Sequence, residues 1–307
     1  MEDIDKIPFY KERTIGERLT AALDFLRGNW TVMLRSAIYL LLPLSIVQSV
    51  TMNKFFGEYM GFAFGGIMDG DPDGELGMAL RLAGSYGILV LCFIIGSIIL
   101  QAYSFTMLQE YNERDGGLEG VTLEKIRGRM WSNTKRVLKS TVIVIVAVIA
   151  LCALSLINPV GLVLLIPALV AMSVPILLFP CVYSFEDIKI REAASRAIRL
   201  GFSTWSGLFV INLAIGFVLN IFEQVVAVPW GIVTLLASVF SYSDDVPQWA
   251  MLTLHILSFV FGVLVMFVTY VAMGIQPLAT AYHYAHATER KDSITIDADI
   301  DNFENLE

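Results

Sequence analysis

Six apolar stretches, each long enough to cross a bilayer, constrain this chain more than any other feature. They run over residues 31–50, 80–107, 141–157, 161–183, 205–228 and 251–276. A hydrocarbon core of about 30 Å needs about 20 apolar residues of helix, and a helix satisfies its backbone polar groups internally where no water is present. The third stretch is rich in Val and Ile and would suggest a strand if it were short. Seventeen apolar residues in succession argue for helix instead. Only 16% of the residues are charged and 56% are hydrophobic, outside the range of soluble domains. The predicted fold class is therefore all-α, a polytopic membrane protein with six transmembrane helices paired in three hairpins.

Each hairpin is preceded by a segment with helical periodicity and basic residues, over 14–28, 121–137 and 187–201. In the first, Thr14 and Glu17 form a capping box and Ile15, Leu19, Ala22, Leu23 and Leu26 make an apolar stripe. In the second, Leu123, Ile126 and Met130 share a face. In the third, Ile190, Ala194, Ala197 and Ile198 oppose Lys189, Arg191, Arg196 and Arg199. Such helices are expected to lie along a membrane surface, with Trp131 and Trp205 at headgroup level. Ile15, Glu17, Ala22 and Trp30 precede Ile190, Glu192, Ala197 and Trp205 by a constant 175 residues, so the plan repeats along the chain.

Arg35, one turn inside the first span, can snorkel to the headgroups. Residues 51–78 read as the longest loop outside the spans, and the NPVG step at 158–161 as a tight turn. Span four is expected to bend at Pro167, Pro175 and Pro180, with neighbouring helices satisfying the carbonyls those prolines free. The loop at 229–248 is expected to hold a short apolar helix, and Pro277 to bend the end of span six. Residues 1–290 form one integral membrane domain, and 291–307 an acidic cytoplasmic tail.

All but Lys54 and Arg81 of the 21 lysines and arginines fall on one side of this arrangement. The positive-inside rule places that side, with both termini and all three interfacial helices, in the cytoplasm. The first 29 residues show no cleavable signal pattern, so the first span is expected to act as an insertion signal. Cys92, Cys152 and Cys181 all lie in apolar runs and read as small core residues without a disulfide framework.

The order of features in the second half carries a family resemblance. An apolar helix ends in Phe179-Pro180, an acidic turn follows at Glu186-Asp187, then an A-x-x-R-A-x-x-L helix over 193–200, then Trp205. After span six comes a Tyr-rich exit over 282–291. This set resembles the YciC-like group of six-helix bacterial inner-membrane proteins, related to the membrane domain found beside some glycerophosphodiester phosphodiesterases. The resemblance implies a cytoplasmic-membrane location and a role in envelope or lipid homeostasis, with no established reaction. No stretch here is long or polar enough to hold the soluble barrel of such a phosphodiesterase.

Chemistry-bearing groups are sparse. No Walker loop, G-x-S-x-G elbow or H-E-x-x-H is present, and no nucleophile can be paired with a base. No enzymatic activity and no cofactor are expected. His283, His286 and Glu289 fall on one helical face, which permits a metal site, but headgroup-level placement beside Tyr282 and Tyr284 explains them more simply. Asp69, Asp71 and Asp73 with Gly74 match the first half of a calcium loop; the twelfth position, which should be a bidentate Glu, is Leu80. The most informative polar set is a stripe on span five: Asn212, Gly216, Asn220, Glu223 and Gln224. In hydrocarbon it must face protein or water, as interhelical packing or as a polar path, and His255 on span six can pair with Glu223.

The sequence therefore points to a non-enzymatic membrane protein of the inner membrane that organises lipid or a partner complex. Lys189, Arg191, Arg196, Arg199, Arg127 and Arg129 are the expected contacts with the anionic inner leaflet. The alternative is a transporter or lipid-moving protein with a path between spans four, five and six, where Pro167 and Pro175 let span four flex. The basic residues line the membrane face and the tail is acidic, so nucleic-acid binding has no support.

Overall fold

A computed structural model describes residues 6–65, 74–157, 159–241, 243 and 246–293. Among them the chain is helical throughout: α1 (Ile15–Gly28), α2 (Trp30–Met60), α3 (Gly74–Glu113), α4 (Leu123–Ser155), α5 (Pro159–Phe185), α6 (Ile190–Ser203), α7 (Trp205–Phe240), α8 (Gln248–Met273) and α9 (Ile275–Asp292). Six helical segments are long and apolar enough to span a membrane, and the chain is an all-α polytopic membrane protein. The sixth includes both α8 and α9, 45 residues in all. That many helical residues would run roughly 65 Å, twice the hydrocarbon thickness. The apolar α8 is the spanning part, and α9, with His283, His286, Glu289, Arg290 and Lys291, lies beyond it.

Helix boundaries depart from expectation wherever a long helix replaces a loop or a break. Residues 51–60 continue α2, stabilised by an i,i+4 pair between Lys54 and Glu58 at 3.9 Å, and a π turn follows at Gly61–Gly65. The second basic segment and span three are one unbroken helix, α4, because nothing between Leu123 and Ser155 is a Gly-Pro break or a cap. The expected short helix after Pro229 is the continuation of α7, which carries that proline internally. Span six ends at Gly274, and Pro277 falls in the first turn of α9, where its missing N–H costs nothing. The first and third copies of the repeat do hold: α1 and α6 each span 14 residues, and α2 and α7 each open on the tryptophan that follows.

The chain forms two compact units. The first comprises Met1–Ser36, Ile98–Phe217 and Gly274–Glu307. Its centre is α9, which is buried continuously from Pro277 to Glu289 and is contacted by α1, α5 and α6. Tyr282 and Tyr284 are fully buried there, each removing a large ring from water at a gain of about 2 kcal/mol. The buried face of α1 is Arg18, Ala21, Ala22 and Phe25, and that of α6 is Ala193, Ala197, Leu200 and Gly201. Both helices are thus rotated from the stripes expected of them. Ile15 and Ile198, placed on the apolar faces, are exposed. The physical reason is that these helices bury small side chains against other helices, where backbones approach closely.

Pro175 illustrates the fit. Gly201 of α6 packs on it so closely that an added Cβ would lie 2.9 Å from its ring, and Trp205 Nε1 donates to the carbonyl of Ala171 at 3.0 Å. Ala171 is the residue whose i+4 donor Pro175 removes. Polar side chains tie other helices together: Asn133 of α4 donates to Thr106 and Gln109 of α3, and Gln109 donates to the carbonyl of Ser184 on α5. Arg136 closes the end of α5, donating to the carbonyls of Tyr183 and Glu186 and pairing with Asp187.

The second unit comprises Ala37–Ser97 and Val218–Met273. Two glycines set its close contacts. Gly96 lies under the ring of Tyr270, whose hydroxyl donates to Gln48 Oε1 at 2.6 Å. Gly262 lies against Ser49, whose hydroxyl donates to the carbonyl of Phe259 at 3.0 Å. Nothing lies within 4 Å of a Cβ built at Gly57 or Gly61. The three cysteines are free thiols.

Candidate functional site

Within the second unit, the end of α2 and the facing parts of α7 and α8 enclose a cavity of about 350 Å³. Val50, Asn53, Gly57 and Met60 line it from α2; Thr234, Ala237 and Ser238 with the following Ser241 from the α7 side; and His255, Ser258 and Phe259 from α8. That volume lies in the range of small-molecule sites. On the sequence, Thr234, Ser238 and Ser241 recur at i, i+4 and i+7, so they form one stripe on α7.

The polar wall is ordered by a directed chain of hydrogen bonds. Trp230 Nε1 donates to Asn53 Oδ1 at 3.1 Å, and Ser258 Oγ donates to the same oxygen at 2.5 Å. The single Ser258 proton is thereby used, so in the 2.7 Å contact between Thr234 and Ser258 the threonine is the donor. Asn53 in turn donates to the carbonyl of Ser49 at 3.0 Å. Ser238 and Ser241 give their protons to the carbonyls of Thr234 and Ser238. The imidazole of His255 makes no hydrogen bond among the described residues, and its side chain is exposed at the rim. The wall therefore offers acceptor lone pairs from four hydroxyls and a free imidazole. The apolar Val50, Met60 and Phe259 complete the lining.

Of the polar stripe expected on span five, only part is internal. Asn212 donates to the carbonyl of Leu208 and accepts from Gln276 at 3.1 Å, both within the first unit. Asn220 and Gln224 are exposed, Gly216 is open, and Glu223 is half-buried. No ion pair or hydrogen bond joins Glu223 to His255 among the described residues. The stripe is divided because a helix of 36 residues meets different neighbours along its length. Sequence reasoning found His255 but missed Asn53, Thr234 and Ser258; the i,i+4 pairs Ser49–Asn53 and Thr234–Ser238 are the available signal for the first two, and Ser258 carries none.

The basic residues separate into two groups. Lys189, Arg191, Arg199 and Arg127 are exposed. Arg196 instead pairs with Glu186 at 2.6 Å and with Asp292, and Tyr284 also donates to that glutamate. Arg129 pairs with Glu113 at 2.6 Å and Glu110 at 3.4 Å. These two guanidiniums have their charge matched within the protein. Arg35 is exposed.

His283 and His286 are buried rather than placed at a headgroup surface. Arg18 Nη1 lies 2.6 Å from His283 Nδ1, and an arginine can only donate, so Nδ1 is the acceptor and Nε2 carries the proton. That proton goes to Thr204 Oγ1 at 2.9 Å. The backbone N–H of Arg13 donates to His286 Nδ1 at 3.0 Å, which fixes the same tautomer there. Burial, and then the Arg18 charge, push the His283 imidazole down to about 3. Burial with Arg18, Arg290 and Arg13 pushes His286 down to about 4. Both ring nitrogens of His283 are engaged, and no group of three metal-ligating side chains occurs among the described residues. Asp69, Asp71 and Asp73, the calcium candidates, lie outside the described residues. No family model, curated protein or solved structure matches the chain.

Proposed function

We propose that this chain is a non-enzymatic, lipid-interacting protein of a bacterial cytoplasmic membrane, and that its cavity holds the uncharged polar group of an amphipathic molecule. The supporting observation is the composition of the cavity. Asn53, Thr234, Ser238, Ser241 and Ser258 line it together with Val50, Met60 and Phe259, with no lysine, arginine, aspartate or glutamate among the lining residues. A charged group placed there would lose hydration without a partner, whereas a hydroxyl-bearing headgroup finds acceptors and an acyl chain finds apolar wall. The hydroxyls of Ser238 and Ser241 are donated to helix carbonyls, which suits binding rather than nucleophilic attack.

In this reading the exposed Lys189, Arg191, Arg199 and Arg127 rest on the anionic inner leaflet, each at a gain of about 1 kcal/mol. The face bearing all but Lys54 and Arg81 of the basic residues is cytoplasmic. The resemblance of the 179–205 and 282–291 segments to the YciC-like group implies such a role. Transport between spans four, five and six draws less support, since α5 supplies none of the cavity and Asn220 and Gln224 are exposed.

The test is native mass spectrometry of the full chain released from its own membrane in nanodiscs. A stoichiometric lipid with an uncharged headgroup is expected, lost on Ser238→Phe, which fills the cavity while leaving the hydrogen-bonding groups of Asn53, Thr234 and Ser258 in the chain. A bare chain, or the same mass retained by the variant, overturns the assignment.

A further inference from the structure

The first unit contains a second feature that is independent of the cavity. Arg18 is only 6% exposed, and its guanidinium donates to the Thr14 carbonyl through Nε and to His283 through Nη1. Its Nη2 has no hydrogen bond among the described residues. No described carboxylate forms an ion pair with it. The charge that bears on it is Arg290, another cation, while Glu17 acts on Arg13 and Asp24 on Tyr282. Gly207 places the first turn of α7 against the same guanidinium, where a Cβ would come within 2.8 Å of Nη1. A helix N-terminus is itself positive, so α7 and Arg290 both raise the potential at Arg18, opposed only by the uncharged Thr14 carbonyl and His283 imidazole that accept from it.

Buried charges are ordinarily matched, and in this chain even the partly exposed Arg129, Arg136 and Arg196 pair with carboxylates. Arg13 is different again, with its guanidinium held by the carbonyls of Phe9, Lys11 and Pro8 and lying over the Tyr282 ring. Arg18 is the buried arginine whose charge is left for something else. Beside it, His286 accepts at Nδ1 and so carries its proton on Nε2, which has no partner among the described residues. Arg290 is exposed at the end of α9 and makes no ion pair among the described residues.

We infer that Arg18, His286 Nε2–H and Arg290 form a binding site for a phosphate-class anion, either the phosphomonoester of a lipid headgroup or free inorganic phosphate. A guanidinium fork and an imidazole N–H together suit a tetrahedral anion with several oxygens better than a single acceptor. Neutral histidines contribute donors without adding charge. The bound anion supplies the countercharge that the fold omits.

The probe is the thermal midpoint of the full chain in phosphatidylcholine nanodiscs, first with inorganic phosphate added and then with phosphatidic acid included in the bilayer. A saturable rise with phosphate identifies a soluble source, and a rise only with phosphatidic acid identifies the headgroup. Arg18→Gln should weaken the responding anion by at least about tenfold, the effect of losing a charge-assisted bond. Without anion, the variant should melt no lower than the parent, because an unmatched buried charge has been removed; a merely structural arginine would give a lower midpoint. Should that variant not fold, Arg290→Gln must weaken the same response several-fold. No rise from either source, or an unchanged response in the variant that folds, overturns the site.

Discussion

The indole N–H of Trp205 donates to the carbonyl of Ala171 at 3.0 Å, the carbonyl that Pro175 deprives of its helical donor. A break in α5 is thus repaired by the first residue of α7. Trp205, which its position predicts to be a headgroup marker, serves as an interhelical donor, and its ring stacks on Phe209 at 4.4 Å.

This relationship sets a coupled prediction. Trp205→Phe should destabilise the protein by about 1 kcal/mol, the scale of one interhelical hydrogen bond in a membrane. In a Pro175→Ala background residue 175 has an N–H of its own to offer Ala171, so the same change should cost measurably less. A double-mutant cycle in detergent unfolding reads the difference. Equal costs in the two backgrounds would show that the bond does not repair the break.

The glycine contacts of the second unit differ in what opposes them. At Gly262 a methyl group meets the hydroxyl of Ser49, the end of a small side chain that can rotate. At Gly96 it meets the ring of Tyr270, held by its bond to Gln48 and fully buried. Gly96→Ala should therefore fall toward the upper end of the 1–3 kcal/mol range for overpacking, about 3 kcal/mol, and Gly262→Ala toward about 1 kcal/mol. Thermal midpoints of the two variants check the order, and a reversed order refutes it.

The two histidines of α9 make stability depend on acid. Both have folded values below the ordinary imidazole value of 6.5, so the unfolded chain binds their protons first. Their contribution is fully present above about pH 6.5 and is lost as pH falls toward about 4 and then about 3. With both sites titrating only in the unfolded state near pH 5, the slope approaches about 2.7 kcal/mol per pH unit. His286→Gln should roughly halve it. Denaturant midpoints between pH 7 and 5 measure this, and a flat profile would mean that the imidazoles are not held neutral.

Six spans, the 175-residue offset between Trp30 and Trp205, and the Thr14–Glu17 capping box could be read directly from the chain, because each depends on local composition and spacing. A run of apolar residues must become a helix in hydrocarbon whatever surrounds it. The rotation of α1 and α6, the pairing of Arg196 with Glu186, the burial of His283 and the cavity at Asn53 could not be read in this way. They depend on which faces meet after the helices assemble. In spans where nearly every residue is apolar, hydrophobic periodicity no longer distinguishes the packed face from the lipid face, so small residues and paired polar groups settle the contacts. Sequence determined that this protein crosses a membrane and that its plan recurs at a 175-residue offset; tertiary structure alone decided which of its few polar groups meet.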